Sequence, residues 1–290
     1  MKGAFKVAGL KVAFQGELGA FSQQAIAQLL GPKAVPQPRQ RFDEVYAALQ
    51  AGTVDAAVVP VENTLHGSVY ANYDLILKHD FVITAETNVR IVHNLIAPPG
   101  LKFAQLRKVF SHEVAINQCL DFFASHPSIQ REIFYDTAGS VKMVMEQRPP
   151  GGAAIASELA ARIYKGRILK RGIEDDRENY TRFFLLEHPG AKPRVPRPAL
   201  RNAGKKPWKT SLVFTTRNIP GALFRALSAL ALRDLNLIKI ESRPLRGKPW
   251  EYLFYLDLIG RQTDPVVQKA LGHLAEVADF LRVLGTYRAG

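Results

Sequence analysis

Polar side chains flank several short apolar runs in the first part of this chain. Glu62, Asn63 and Thr64 come directly after the run AAVVPV, and Thr181 and Arg182 stand just before FFLL. A carboxylate, an amide, a hydroxyl and a guanidinium can together hold a small anion and hydrogen-bond to it. Each residue also has an ordinary interpretation, because glutamate is usually a surface residue and strand alternation could place Arg182 on a solvated face.

Hydroxyl residues stand where new helical patterns begin. Ser22, Ser111, Thr137 and Ser157 follow the strand-like runs KVAFQ, KVF, EIFYD and AAIA. A hydroxyl at a helix start caps free backbone amides and contributes roughly 1 kcal/mol, so capping is the first interpretation of these residues. Ligand binding is the second, and the two roles are compatible.

Several kinds of chemistry are excluded by what the motifs lack. The loop GELGAFS has neither the third glycine of a dinucleotide fingerprint nor the ending of a P-loop. His112 and Glu113 begin like HExxH, but Ile116 occupies the second histidine position, and Cys119 is the only cysteine. No GxSxG elbow occurs. We therefore expect no cofactor, no metal ion and no covalent nucleophile.

The elements that position these residues alternate along the chain. From Lys11 to Leu186, short apolar runs alternate with amphipathic runs, which is typical of an α/β fold with a mostly parallel sheet. In such sheets, strand ends and helix starts line one crevice, where free amides and helix dipoles favour anions. The pattern predicts a site for a carboxylate or a phosphate.

A basic, proline-rich segment at 189–208 follows this body of residues 1–188, and we interpret it as an extended linker. Seven cations in one acid-free stretch account for more than half of the net charge of +13: Lys192, Arg194, Arg197, Arg201, Lys205, Lys206 and Lys209. Beyond the linker, residues 209–290 read as strand, helix, two strands, helix and strand. This βαββαβ order predicts an α+β ferredoxin-like domain.

The composition also bears on compartment and partners. Lys2, Lys6 and Lys11 interrupt any secretory apolar core, no later run approaches a membrane span, and a lone cysteine suits a reducing compartment. Aromatic residues are not interleaved with the basic stretch, apart from Trp208. We expect a cytoplasmic protein that binds neither nucleic acid nor membrane.

A family resemblance is carried by the segments FQGELGAFS, VVPVENTLHGSV, VFSHEVAINQC, AAIASELAARIY and NYTRFFLLE. They occur in the order found in prephenate dehydratases, and IPGALFRALSALALRDLNLIKIESRP is similar to the ACT domain that such enzymes carry as a phenylalanine sensor. The resemblance covers about residues 10–288. It implies a two-lobed body like type II periplasmic binding proteins, with lobe one at about 1–92 plus 176–188, lobe two at about 93–175, and the site in the cleft.

The resemblance implies a cofactor-free lyase that converts prephenate into phenylpyruvate, water and CO2 on the way to L-phenylalanine. It makes Thr181 the first catalytic candidate, for protonation of the departing hydroxyl, and Glu62 the second. The implied substrate-binding residues are Arg182, Phe183, Asn63, Thr64, Ser111, Gln118, Thr137 and Phe21. Many bacterial members carry an acidic residue near the position of Gly139, so any role of that acid is not transferred.

The same resemblance implies feedback by L-phenylalanine at the ACT domain of a homodimer or homotetramer. The candidate effector site combines the loop before a helix with the strand end ESRP: Asn218, Pro220, Gly221, Ala222, Leu223, Glu241, Ser242, Arg243 and Pro244. From the residues alone, Gly221 could equally serve a plain tight turn.

Two other functions stay open. Arogenate dehydratase performs the same elimination on the amino-acid analogue, and DTAG and LRDLNLIKIESRP resemble plant-type members with that substrate. A non-catalytic, two-lobed ligand sensor is the other alternative, because a fold does not fix a reaction.

Overall fold

The apolar runs of the sequence become the central strands of three sheets. The chain was analysed as a computed structural model, which describes residues 9–189, 206–245 and 251–290. It divides into two compact units: unit one holds the described residues to Asp80 and Thr87–Phe184, and unit two holds Phe81–Glu86, Leu185–Pro189 and the described residues from 206 onward. The predicted linker at 189–208 lies almost wholly outside the described residues.

The first sheet begins with alternating strands and helices, as the sequence pattern predicts. Its elements are β1 (Lys11–Gln15), α1 (Phe21–Leu30), β2 (Val35–Arg39), α2 (Phe42–Gln50), β3 (Ala56–Asn63), β4 (Gly67–Ser68), α3 (Tyr70–Lys78) and β5 (Val82–Arg90). β1 pairs in parallel with β2 and β3, while the short β4 pairs antiparallel with β3. Successive residues Ala56–Val59 of β3 are all buried, which is why this strand is continuously apolar.

A second sheet follows, and the chain then returns to the first. Its elements are β6 (Asn94–Ala97), β7 (Lys108–Ser111), α4 (Glu113–Asn117), α5 (Leu120–Ala124), β8 (Gln130–Ile133), α6 (Thr137–Gln147), β9 (Gly152–Ala156), α7 (Glu158–Ile163) and β10 (Arg167–Lys170). The strand order is β10-β6-β9-β7-β8, and β7 is parallel to both neighbours. The returning strand β11 (Tyr180–Glu187) lies between β3 and β5 in the first sheet. We call the first sheet with its helices lobe one and the second lobe two.

Helix caps are supplied by different residues from those expected, with one exception. Ser157 does cap α7, because its side chain accepts from the Ala160 amide. For α6, the cap is Asp136, which accepts from the Gly139 amide at 2.6 Å, and α4 is capped by the His112 side chain. The predictions that Ser22, Ser111 and Thr137 are caps are therefore wrong: Thr137 is the first residue of α6, Ser111 ends β7, and Ser22 lies inside α1.

Unit two has the predicted βαββαβ order and confirms the ferredoxin-like expectation. It contains β12 (Trp208–Thr215), α8 (Ala222–Ala231), β13 (Leu237–Pro244), β14 (Tyr252–Ile259), α9 (Pro265–Val277) and β15 (Phe280–Arg288). Its antiparallel sheet has the order β13-β14-β12-β15, and both helices pack on a core that includes Leu212, Phe214, Leu230, Leu256 and Leu274. Among the described helices of the whole chain, none is long and apolar enough to cross a membrane.

Unit two also contains a buried ion pair that joins β12 to the first part of β5. Lys209 Nζ lies 2.7 Å from Glu86 Oε1 and 3.9 Å from Asp257 Oδ2, with all three side chains almost fully buried. Close by, Gly285 of β15 lies against Ile83 so tightly that a Cβ atom there would overlap the Ile83 carbonyl oxygen. The first residues of β5 are thus part of the core of unit two.

Candidate active site

A cavity of about 590 Å³ within unit one is lined by residues from both lobes. Lobe one contributes residues at the ends of β1, β3 and β11 and at the start of α1, and lobe two contributes residues of α4 and α6. The described lining is Gln15, Phe21, Gln40, Arg41, Phe42, Pro60, Asn63, His66, Gly67, Ser68, Val69, Ile91, His93, His112, Val114, Ala115, Gln118, Thr137 and Thr181. It contains no carboxylate among the described residues, and Arg41 is its one arginine or lysine.

Asn63 connects the neighbouring strands β3 and β11 at this cavity. Its Nδ2 lies 3.0 Å from Thr181 Oγ1, 2.8 Å from Asn179 Oδ1 and 3.1 Å from the Tyr180 carbonyl oxygen. Its Oδ1 accepts from the backbone amides of Leu65 and His66, at 3.0 Å each. Because Thr181 Oγ1 accepts from Asn63, the hydroxyl proton of Thr181 is available to be donated into the cavity.

The residues next to Asn63 and Thr181 lie away from the cavity wall. Arg182 Nη1 lies 3.5 Å from Glu62 Oε2, and the guanidinium carbon lies 4.7 Å from the centre of the Phe184 ring. Successive side chains of a strand point to opposite faces, so the motifs Glu-Asn and Thr-Arg each split between the cavity and the other face.

Three more of the predicted site residues make structural contacts outside the cavity lining. Thr64 Oγ1 donates to the Glu178 carbonyl at 2.7 Å and accepts from the Tyr180 amide, which ties the end of β3 to β11. Ser111 is fully buried and donates to the Ile155 carbonyl at 2.7 Å, which ties β7 to β9. Phe183 is buried in the core of lobe one.

Thr137, Gln118 and Phe21 do line the cavity, at the starts of α6 and α1 and at the end of α4. The Phe21 ring is edge-on to the ring of His93, with 5.8 Å between ring centres. Both α1 and α6 begin at the cavity, so their free amide groups and positive dipole ends favour an anion there.

The loop GELGAFS of lobe one contacts lobe two. Glu17 accepts from Tyr135 Oη at 3.2 Å and from Lys142 Nζ at 3.3 Å, and Ser157 Oγ donates to the Gly19 carbonyl at 2.6 Å. A Cβ atom on Gly16 would lie 2.8 Å from Asp136 Oδ2. The loop therefore needs glycine here for close approach, and a nucleotide phosphate need not be invoked to explain it.

Three histidines that the motif analysis did not assign also line the cavity: His66, His93 and His112. Gln118 links two of them, because its Oε1 lies 2.8 Å from His93 Nε2 and its Nε2 lies 3.1 Å from His66 Nδ1. His66 is only three residues from Asn63, so its nearness to the site could have been predicted from the sequence. The placement of His93 depends on its contact with Gln118, 25 residues away.

Burial sets the charge states around the cavity. Burial lowers the pKa of His93, against smaller opposing effects of the Gln118 hydrogen bond and of Glu174 and Asp175, so its ring is neutral. Burial raises the pKa of Asp136, partly offset by its hydrogen bond from the Gly139 amide. Burial, followed by the charge of Glu17, raises the pKa of Tyr135 to about 12. Among the described residues, no cluster of His, Cys, Asp and Glu is arranged to hold a metal ion.

The candidate effector residues occupy two places in unit two. Asn218, Pro220, Gly221, Ala222 and Leu223 form the turn into α8, where Gly221 has φ of 75° and so adopts the left-handed conformation that favours glycine. Four more of them end β13, which is one of the two edge strands of the described sheet: Glu241, Ser242, Arg243 and Pro244.

Family models match most of the chain. The prephenate dehydratase model matches residues 12–191, and the ACT domain model matches residues 210–276. Arogenate dehydratase/prephenate dehydratase 2, chloroplastic, of Arabidopsis thaliana is 41% identical over 287 residues, which cover 96% of this chain and 72% of that protein.

Two solved structures are similar over almost the whole chain. Prephenate dehydratase of Arthrobacter aurescens in complex with L-Phe has a TM-score of 0.85 and 31% identity, covering 96% of this chain and 90% of that one. GqqA, described as a novel type of quorum quenching acylase, also has a TM-score of 0.85, with 32% identity, covering 97% and 98%.

One expectation is overturned by these relatives. Several of them, including two dehydratases of Arabidopsis thaliana, are chloroplastic by name, which points to a plastid. The expected cytoplasmic location is therefore wrong. Its weakness is physical, because the lack of a secretory apolar core argues only against secretion and does not distinguish the cytoplasm from an organelle.

The matched models, the two-lobed α/β body and the βαββαβ domain agree with one another and with the motif resemblance. Homologues that act on prephenate or arogenate place the chain among the lyases of phenylalanine biosynthesis. The chain belongs to the prephenate dehydratase family, as a member that carries a C-terminal ACT domain.

Proposed function

We propose that this chain converts prephenate into phenylpyruvate, water and CO2, with Thr181 as its principal catalytic residue. The observation that carries this proposal is the Asn63 to Thr181 hydrogen bond at the wall of a cavity whose described lining, apart from Arg41, has no arginine, lysine or carboxylate. Asn63 holds the threonine oxygen as an acceptor, so the hydroxyl proton is directed to another acceptor. The departing hydroxyl of the substrate is that acceptor.

The elimination needs little from the protein beyond placement and hydrogen bonding. The bond to the ring carboxylate breaks, its electron pair completes the aromatic ring, and the hydroxyl leaves with one added proton as water. Thr181 is too weakly acidic to supply that proton outright, so its hydrogen bond strengthens as negative charge develops on the departing oxygen, and the proton comes from solvent water. Glu62 and Arg182 position β3 and β11 through their ion pair.

The cavity lining supports prephenate over arogenate as the substrate. The two differ at the side chain, which carries a ketone in prephenate and an ammonium group in arogenate. A buried ammonium group needs a carboxylate or several acceptors, and the described lining has no carboxylate. Arogenate is the second candidate, because relatives such as arogenate dehydratase 2 of Petunia hybrida carry that name.

An ultraviolet assay of the purified chain with each substrate, in buffer with chelator and without cofactor, tests this. We expect kcat/KM for prephenate to exceed that for arogenate by at least about tenfold, the discrimination that one unpaired polar group produces. The reverse preference would assign arogenate. Activity that is lost when chelator is added would contradict the proposal that the reaction needs no metal ion.

Acyl hydrolysis is a second activity to assay, because one similar structure is described as an acylase. Ser68 and His66 both line the cavity, and a hydroxyl with an imidazole is the usual equipment for attack on an acyl group. Hydrolysis of acyl amides that survives Thr181→Ala and is lost in Ser68→Ala would support it.

We also propose that L-phenylalanine binds unit two at the turn before α8 together with the end of β13 of a neighbouring subunit, in a homodimer or homotetramer. Gly221→Ala should raise the concentration of L-phenylalanine needed for half-maximal inhibition by roughly tenfold, because a left-handed alanine costs on the order of 1–2 kcal/mol. Gly272→Ala in α9 is the matched control, since a Cβ atom there meets nothing within 4 Å. Equal sensitivity of both variants would remove this turn from the effector site.

A further inference from the structure

The ring of His93 has one hydrogen-bond partner among the residues that the structure describes. Its side chain is buried, with 2% of the residue exposed, and Nε2 lies 2.8 Å from Gln118 Oε1. Nδ1 is buried and has no hydrogen-bond partner among the described atoms. A neutral imidazole carries one ring proton, and a buried N–H without an acceptor is rarer than an unpaired lone pair. The proton of His93 is therefore on Nε2, where it is donated to Gln118.

This donation fixes the orientation of the Gln118 amide. With Oε1 committed to His93, Nε2 of Gln118 faces His66 Nδ1 at 3.1 Å and donates to it. Asn63 Oδ1 also lies 3.4 Å from His66 Nδ1, but that oxygen already accepts from two backbone amides. His66 Nδ1 is thus an acceptor, and the ring proton of a neutral His66 is on Nε2.

We propose that the Nε2–H group of His66 donates a hydrogen bond to an anionic oxygen of the substrate, and that His93 and Gln118 act as positioning residues that fix this tautomer. The inference rests on the proposed dehydration and adds a residue to its site. A dianionic substrate needs several donors, and Arg41 is more than half exposed and pairs with Asp43. His66 is held to the same Asn63 that orients Thr181, so both donors are placed by one side chain.

Isosteric variants of His66 separate the two ring nitrogens. The amide nitrogen of glutamine lies near the position of Nε2, and that of asparagine lies near Nδ1. We expect His66→Gln to keep kcat/KM for prephenate within about threefold, and His66→Asn and His66→Ala to lose roughly 10- to 100-fold, the effect of one hydrogen bond to a charged group. If the lower kcat/KM comes from a higher KM, the acceptor is a substrate carboxylate. If it comes from a lower kcat, the acceptor is the departing hydroxyl.

Retention of as much activity in His66→Asn as in His66→Gln, or an unchanged His66→Ala, would overturn the assignment. Nitrogen-15 NMR of the histidine rings tests the relay without turnover. His66 should have its proton on Nε2, while His126, whose Nδ1 lies 2.7 Å from the Phe122 carbonyl, is an internal reference with its proton on Nδ1.

Gln118→Leu should give a mixture of His66 tautomers, reduce kcat/KM roughly tenfold and leave His126 unchanged. A His66 tautomer that does not respond to this variant would refute the relay. If the wild-type chain turned over neither prephenate nor arogenate, the proposed function would fail, whereas the NMR result would still decide the relay.

Discussion

Where the carboxyl end of β3 meets the amino end of β11, the two faces of the sheet differ in how their polar groups are held. On the cavity face, the neutral side chains of Asn63 and Thr181 are linked by a hydrogen bond of 3.0 Å, which leaves the hydroxyl proton of Thr181 available to another acceptor. On the other face, Glu62 and Arg182 are charged and paired with each other. Neighbouring residues of one motif thus lie on opposite faces of the sheet, so membership of a motif does not by itself place a residue at the cavity.

Of the substitutions on the two faces, Thr181→Ala on the cavity face should reduce activity most. We expect kcat for prephenate to fall by about two to four orders of magnitude with little change in KM, because the lost contact strengthens in the transition state. Steady-state kinetics on the ultraviolet assay measure this. Thr181→Ser keeps the hydroxyl and should retain most activity, and near-normal turnover in Thr181→Ala would remove Thr181 from the reaction.

Asn63→Asp tests whether the orientation of the threonine proton matters. A carboxylate cannot donate, so Thr181 would donate to residue 63 and have no proton to direct at the substrate. We expect kcat to fall by roughly 100-fold, the usual loss for one oriented donor. Circular dichroism should show intact secondary structure. Unchanged kcat would indicate that Thr181 does not act through its proton.

Arg182→Lys should affect the other face and act on stability more than on catalysis. Lysine keeps the charge but loses the planar group 4.7 Å from the Phe184 ring centre, so the free energy of unfolding should fall by about 1–2 kcal/mol. Urea denaturation measures this loss, and kcat/KM should change less than about tenfold. A large rise in KM with unchanged stability would instead place Arg182 against the substrate.

Asp136→Asn should have the smallest effect on activity. It tests whether the buried position of Asp136, next to the cavity residue Thr137, favours a neutral side chain. Burial raises the pKa of Asp136 in the folded protein, so the folded state keeps the proton at pH values where the unfolded state has lost it. The aspartate therefore reduces the free energy of unfolding as pH rises above its ordinary pKa of 3.8. Asparagine caps helices as well as aspartate does. The stability of wild type relative to Asp136→Asn should therefore fall as pH rises from 3.8 through the folded pKa and then level off. A difference independent of pH would contradict this.

The fold followed from the sequence because alternation and turn residues are local signals. The βαββαβ order of residues 208–288 and the parallel strands β1 and β3 were predictable in this way. Strand β2 was not predicted, because its sequence VPQPR contains two prolines and shows no apolar alternation. The caps at Asp136 and His112 were missed because each is a direct chain neighbour of the expected hydroxyl: Asp136 comes one residue before Thr137, and His112 comes one residue after Ser111.

The candidate site was only partly predictable. The motif resemblance named Asn63, Thr181, Gln118, Thr137 and Phe21, which the structure brings to one cavity. It also named Ser111, whose hydroxyl instead ties β7 to β9. His93 could not be found from local pattern, because its partner Gln118 lies 25 residues away and the contact depends on how β6 and α4 pack.

The Lys209 to Glu86 pair has a practical consequence for anyone who wishes to study the regulatory module by itself. A fragment cloned from residue 206 onward would contain the lysine but not its glutamate. Among the described residues, the buried ammonium group would then keep only the 3.9 Å approach to Asp257. Such a fragment would also expose the surface that Ile83 covers at Gly285. The regulatory domain therefore depends on residues from the first part of the chain, and its ligand binding should be measured on the intact protein.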